Sequence, residues 1–391
     1  EDPISGLIFN GMSLTFGSSG ISGFDILDVD SQNANAALSY VRKFQYKEQL
    51  ADCGISYKEY EGTTLTSVEK AMNAIHYHVS EFFRLNPNGT LYVMIKAGTG
   101  SVAVGDVTLL QNYAEGKIRQ CGIFNSTLLT FNGTGGLQEE LTALENNHKP
   151  LSVVCAYSGK NVALSTLTGT SLATAGQRNI SVLIGCDFST KLANDLGDNA
   201  YYGCIGACIG AISNALVSEC IGWVAKFPLS LTNPALFNGL LVRDVSIADQ
   251  ELLNDNRYIF VRTFVGDSNC YFNDSHTCDL ETSDYAYIES ERTIDKATRE
   301  IRKQLLPYVN APLKVDAASG KLDSTMVAYY ESIANHALED MTKAGEISGG
   351  SVSIDANQNV LSTSTLNVIV KIVPVGVMRQ IVVNIGFALS L

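Results

Sequence analysis

Short apolar runs separated by segments of helical period constrain this chain more than any other feature. Residues 91–95 (LYVMI), 151–155 (LSVVC) and 180–184 (ISVLI) are almost continuously apolar. A strand reads this way when both of its faces are covered. Leu65, Val68, Met72, Ile75, Val79 and Phe82 recur at spacings of three and four, which places them on one helical face. Thr66 and Glu69 have the spacing of a capping box at the start of that helix. The turn cluster Asn86, Pro87, Asn88, Gly89 ends it. Leu137, Leu141 and Leu144 mark a further short helix. Strands alternating with helices predict an α/β fold with a mostly parallel sheet and flanking helices.

At 391 residues the chain is long enough for two or three domains. Its character changes near residue 257. Residues 258–264 (YIFVRTF) read as a strand, and 266–269 and 273–275 are rich in turn formers. A long helix is expected over 284–305, capped by Thr282 or Ser283 and stopped by Pro307. A second helix carries Leu322, Met326, Tyr329, Ile333, Ala337 and Met341 on one face and stops at Gly345, Gly349 and Gly350. Strands are expected at 351–354, 366–373 and 377–387. The expected domains are 1–255, α/β, and 256–391, α+β, with the N-terminal strand free to pack with the second. Val368, Val370 and Ile372 alternate with Ile369, Lys371 and Val373, so this strand is apolar on both faces. A strand like that near a chain end calls for cover, such as a neighbouring subunit.

The formal charge of −13 argues against general nucleic-acid binding, which normally needs a basic surface. Charged residues are only 17% of the chain and glycines number 33, which suits a surface partly covered by neighbours. Nine cysteines without a CxxC pair read as reduced and buried. Residues 201–217 form an apolar, small-residue segment too short to span a bilayer, with Gly203, Ala207, Ala211 and Ala215 at i+4 spacing. It is expected to be a buried, tightly packed helix. The sequence opens at Glu1 without methionine, so native residues are expected upstream.

No set of residues satisfies the demands of catalysis. Residues 169–173 (GTSLA) resemble the nucleophile segment of subtilisin-type proteases, with Ser171 as the nucleophile. The histidines before it are His76, His78 and His148; the first two lie two apart on a helix and point in different directions. Gly159-Lys160 and Gly320-Lys321 lack the other residues of a phosphate loop. Gly98, Gly100 and Gly105 miss the dinucleotide spacing and read as a tight turn. His276, near Asp274, Cys278 and Asp279, reads as turn chemistry rather than a metal site. No enzyme activity, cofactor or metal is expected. Arg292, Lys296, Arg299 and Lys303, at spacings of four, three and four, form a basic stripe on the long helix. On an acidic chain it is either a solvated face or a contact for an acidic partner.

Five segments then resemble, in order, the contractile tail-sheath-like family of phages and prophages. They are 203–227 (GCIGACIGAISNALVSECIGWVAKF), 258–278 (YIFVRTFVGDSNCYFNDSHTC), 283–307 (SDYAYIESERTIDKATREIRKQLLP), 346–360 (EISGGSVSIDANQNV) and 366–389 (LNVIVKIVPVGVMRQIVVNIGFAL). The opening residues 1–9 (EDPISGLIF) are also similar to that family's beginning. The resemblance implies a structural, ATP-independent subunit that polymerises helically around an inner tube, with baseplate and terminator proteins as further partners. It implies a place in the virion tail, assembly in the bacterial cytoplasm, no direct nucleic-acid contact and no membrane insertion. It further implies that the second domain lies nearest the tube, met by Arg292, Lys296, Arg299 and Lys303. Terminal strands carrying Val368, Val370, Ile372, Ile381, Val383 and Ile385 would exchange between subunits. The competing readings are a hydrolase using Ser171 and a secreted structural protein or adhesin.

Overall fold

The computed structural model describes residues 4–12, 14–17, 20–27, 38–97, 102–124, 136–316, 320–358 and 360–381. The strands are β1 (Ile4–Met12), β2 (Asp25–Leu27), β3 (Ser39–Phe44), β4 (Thr90–Ala97), β5 (Gln120–Phe124), β6 (Ser152–Ala156), β7 (Ile180–Leu183), β8 (Gly185–Asp187), β9 (Pro234–Leu236), β10 (Tyr258–Ile259), β11 (Val261–Thr263), β12 (Cys270–Phe272), β13 (Ile347–Ser353) and β14 (Ile369–Pro374). The helices are α1 (Gln49–Asp52), α2 (Ser67–Leu85), α3 (Gly105–Tyr113), α4 (Leu137–Asn146), α5 (Leu164–Thr168), α6 (Thr190–Leu196), α7 (Ile205–Asn214), α8 (Ile247–Asp255), α9 (Ile288–Leu305), α10 (Ser324–Lys343) and α11 (Val360–Thr363).

An eight-stranded sheet in the order β10-β7-β6-β5-β1-β4-β3-β2 organises the first unit. Pairing is parallel from β10 through to β4. It turns antiparallel at β3 and β2. The mainly parallel α/β expectation therefore holds. Along β1, Leu7 and Phe9 enter one core while Ile8 enters the other, as the two-residue period of a strand requires. The first core packs α2 and α7 against the sheet, and the second packs α3 and α4 against its opposite face.

The capping box forms as its spacing predicts. Thr66 Oγ1 accepts the Glu69 N–H, and the Glu69 carboxylate accepts the Thr66 N–H at 2.7 Å. The 201–217 segment contains a buried ten-residue helix, α7. Among the described residues no helix is long and apolar enough to cross a membrane. All nine cysteines are free and buried.

Three expectations need correction. The chain divides into compact units at Glu1–Asp295 and Lys296–Leu391, later than the expected 255/256 boundary. The reason is β10, which pairs in parallel with β7 as the edge of the main sheet and so ties residues after 257 to the first unit. The N-terminal strand β1 sits in the middle of that sheet, between β4 and β5, and not with the second unit. The long helix begins at Ile288, not 284, because Ser283 instead donates its hydroxyl to Asp279 at 2.7 Å in a turn. The glycine turn expected at Gly98 and Gly100 lies outside the described residues.

Candidate assembly surface

In the second unit, β13 and β14 pair antiparallel, with Gly350 opposite Ile372 and Val352 opposite Val370. Helix α10 covers one face of the pair. Ala334, Ala337, Leu338 and Met341 pack there with Ile347, Val352 and, from α9, Ala297 and Ile301. Val368 and Ile372 lean on this core, as side chains two or four residues apart on one strand face should.

The opposite face stays open. Ile369 and Val373 are 53% and 61% exposed, and Val375, Met378 and Ile381 are exposed beyond them. The apolar strand expected to be covered is thus bare on this face among the described residues. Residues 375–381 form no strand, and Val383 and Ile385 lie outside the described residues.

The two edges of this small sheet differ. At the end of β13, side chains of α10 take two backbone donors: the Val352 N–H donates to Asn335 Oδ1 at 2.9 Å, and the Ile354 N–H just beyond donates to Glu331 Oε1 at 2.7 Å. Along β14 the outer edge pairs with no strand among the described residues. One edge is partly occupied by local side chains, and the other pairs with no strand among the described residues and is flanked by apolar side chains, the usual template for strand addition.

The basic stripe does not act as one surface. Arg292 is buried and donates to the Ala215 carbonyl at 3.1 Å and the Leu216 carbonyl at 3.3 Å, which satisfies carbonyls left over at the end of α7. Thr293 Oγ1 donates beside it to the Val217 carbonyl. Lys296 is ion-paired with Glu346 of the second unit. Arg299 is half-buried. Lys303 alone of the four is well exposed, its side chain 73% accessible and its ammonium 3.8 Å from Glu300. Arg292 is thus buried within the first unit, because the root of α9 is embedded where the sequence pattern shows only a charged face. No spacing in the sequence reveals that its partners are the carbonyls after α7.

The chemical candidates do not converge. Ser171 is exposed and its Oγ accepts the Ala173 N–H at 3.2 Å. His76 Nδ1 lies 3.4 Å from Ser80 Oγ, while His78 is buried against the rings of Phe9 and Phe124. His276 Nε2 lies 3.0 Å from Asn254 Oδ1. Among the described residues no group of three or more His, Cys, Asp or Glu is placed to hold a metal ion.

Family models match the chain in two stretches, described as DUF2586, N-terminal domain, over residues 60–276 and DUF2586, C-terminal domain, over residues 284–391. The chain belongs to the DUF2586 family. No curated protein matches it. Among solved structures, this DUF2586 chain is similar to a chain of the anti-feeding prophage baseplate, at 14% identity and TM-score 0.60, covering 99% of this chain and 96% of that one. It is similar to the anti-feeding prophage helical sheath in its contracted state, at 13% identity and TM-score 0.58, covering 98% and 92%. It is also similar to the sheath tail protein of Listeria innocua, at 9% identity and TM-score 0.51, covering 96% and 95%. The DUF2586 chain thus has the fold of contractile-sheath proteins along nearly its whole length, as the sequence resemblance implies.

Proposed function

We propose that this DUF2586 chain is the structural subunit of a contractile sheath, on a phage tail or a phage-derived injection device. The near end-to-end likeness to contracted sheath chains carries this reading. The open, apolar edge of β14 supports it, since a subunit must leave bonding capacity for its neighbour. A head-to-tail contact of this kind does not close on itself and builds a helix. Because α10 side chains already occupy backbone donors at the end of β13, the added strand joins at β14. Work comes from the difference between two packings of the same subunits and not from bond chemistry. The partners are further copies, an inner tube, and baseplate and terminator proteins, in a tail assembled in the bacterial cytoplasm. On the tube side, Lys303 and the exposed Arg302 beside it take the role expected of the whole stripe.

Negative-stain electron microscopy of the concentrated protein, with any upstream arm restored, tests this. Tubes or rings of regular width, lost on deletion of residues 366–391, are expected. Monodisperse monomers under all conditions, with or without a tube protein, would sink the proposal.

A further inference from the structure

The root of α9 buries carboxylates where they are costly. Glu289, Glu291 and Asp295 are all buried, and Glu291 is deepest at 2% exposed. Its Oε1 accepts from Asn179 Nδ2 at 2.6 Å. Asn179 in turn accepts from Gln138 Nε2 at 2.7 Å, and its N–H donates to Gln138 Oε1 at 3.1 Å. One polar chain therefore ties α9 to the segment leading into β7 and to α4. Among the described residues, Glu291 Oε2 has no hydrogen-bond partner.

The charges facing Glu291 do not balance it. From the segment before β7, Arg178 brings Nε only to 3.8 Å of Oε1. That guanidinium is already ion-paired with Glu145 of α4 and lies 4.6 Å from the ring centroid of Tyr285, in the turn before α9. From its own helix, Asp295 adds a like charge one turn on. Arg178 thus serves both Glu145 and Glu291, and Glu145 has the direct contact. An ionised Glu291 would hold a buried charge with one oxygen unsatisfied. A neutral one keeps the Asn179 bond and loses that penalty.

We propose that Glu291 is carried as a neutral acid in the folded protein and acts as a proton-held latch on the first turns of α9, which release from Asn179 and α4 when it ionises. Burial first, and Asp295 second, push the Glu291 carboxyl up to about 8 against the pull of Arg178. The folded state then keeps a proton that the unfolded chain gives up above its ordinary 4.5. The latch is fully engaged below that value and is lost as pH rises through about 8. Nothing in this inference depends on the sheath reading.

Hydrogen exchange of the amides in 288–295, corrected for intrinsic rates, is followed from pH 6.5 to 9.5 alongside denaturant unfolding. In the wild-type protein, exchange there is expected to accelerate relative to the rest of the first unit as pH rises toward about 8 and to level off above it. The folding constant is expected to fall by up to ~10-fold per pH unit below about 8 through this group and to stop falling through it above. Glu291→Gln keeps the acceptor and cannot ionise, so both responses flatten. Asp295→Asn removes the like charge and moves the wild-type midpoint to lower pH. A wild-type protein whose 288–295 exchange ignores pH overturns the latch, as does an unchanged response in Glu291→Gln or an unmoved midpoint in Asp295→Asn. The wild-type and Asp295→Asn measurements decide the matter even if Glu291→Gln fails to fold.

Discussion

Gly206 lies against His78 so closely that a Cβ on the glycine would stand 1.9 Å from the His78 carbonyl oxygen. The Gly206 N–H also points at His78 Nδ1 from 3.4 Å, which makes Nδ1 the acceptor and leaves the proton of a neutral ring on Nε2. Helices α2 and α7 meet at this point, and Gly210 repeats the approach one turn later against the Phe82 carbonyl.

Gly206→Ala is therefore expected to destabilise the first unit by at least ~3 kcal/mol or to prevent soluble expression, because backbone and not a flexible side chain must yield. Gly105→Ala is the control. A Cβ there meets nothing within 4 Å at the start of α3, so the change is expected to be neutral or stabilising by up to ~1 kcal/mol. Denaturant unfolding of both variants checks the contrast.

Burial holds His78 at about 3, well below its ordinary 6.5. The unfolded chain takes up a proton that the folded interior refuses. Stability from this site is full above about pH 6.5 and drains as pH falls toward about 3. Between pH 7 and pH 4 the wild-type loss is on the order of 3 kcal/mol. His78→Phe should have a shallower acid slope; parallel slopes would exclude His78 as the titrating group.

Arg292 and Lys303 sit on the same helix yet should respond in opposite ways. Arg292→Ala strands the carbonyls of Ala215 and Leu216 and is expected to cost ~2–3 kcal/mol. Lys303→Ala removes an exposed charge and should leave stability within ~0.5 kcal/mol. If Lys303 faces a tube, its loss shows in co-sedimentation with tube protein and not in a melting curve.

On β14, Val373→Lys and Ile369→Lys place charges on an already exposed face. Monomer stability should stay within ~0.5 kcal/mol of wild type while tube formation disappears. Asn335→Ala instead unties the β13 edge and should lower stability by ~1–2 kcal/mol. Assembly that survives both lysine variants would exclude this edge from the lattice.

The parallel sheet was legible because its strands are apolar on both faces and its helices keep a strict face. Runs 91–95, 151–155 and 180–184 became β4, β6 and β7, and the Thr66–Glu69 box opened α2 where its spacing placed it. Strand β5 went unrecognised, since Gln120-Cys-Gly-Ile-Phe124 carries glycine and glutamine and owes its state to neighbours on either side. The expected small-residue row is buried, with Gly203 against the Leu183 carbonyl and Ala207 and Ala211 in the core, but the approaches to α2 backbone come from Gly206 and Gly210, because side-chain spacing gives a helix face but not which face meets a backbone.

By itself, the sequence determined the fold class, the buried thiols and the apolar terminal strand, all properties that local pattern and composition carry. Tertiary structure decided what the long helix does with its charges. Arg292 turned inward to serve carbonyls from 215–216, Lys296 met Glu346, and Glu291 came to rest between Asn179 and an already engaged Arg178. These partners lie far off in the sequence, and the cost of burying a charge depends on which of them arrive, so no periodicity along the chain can report it.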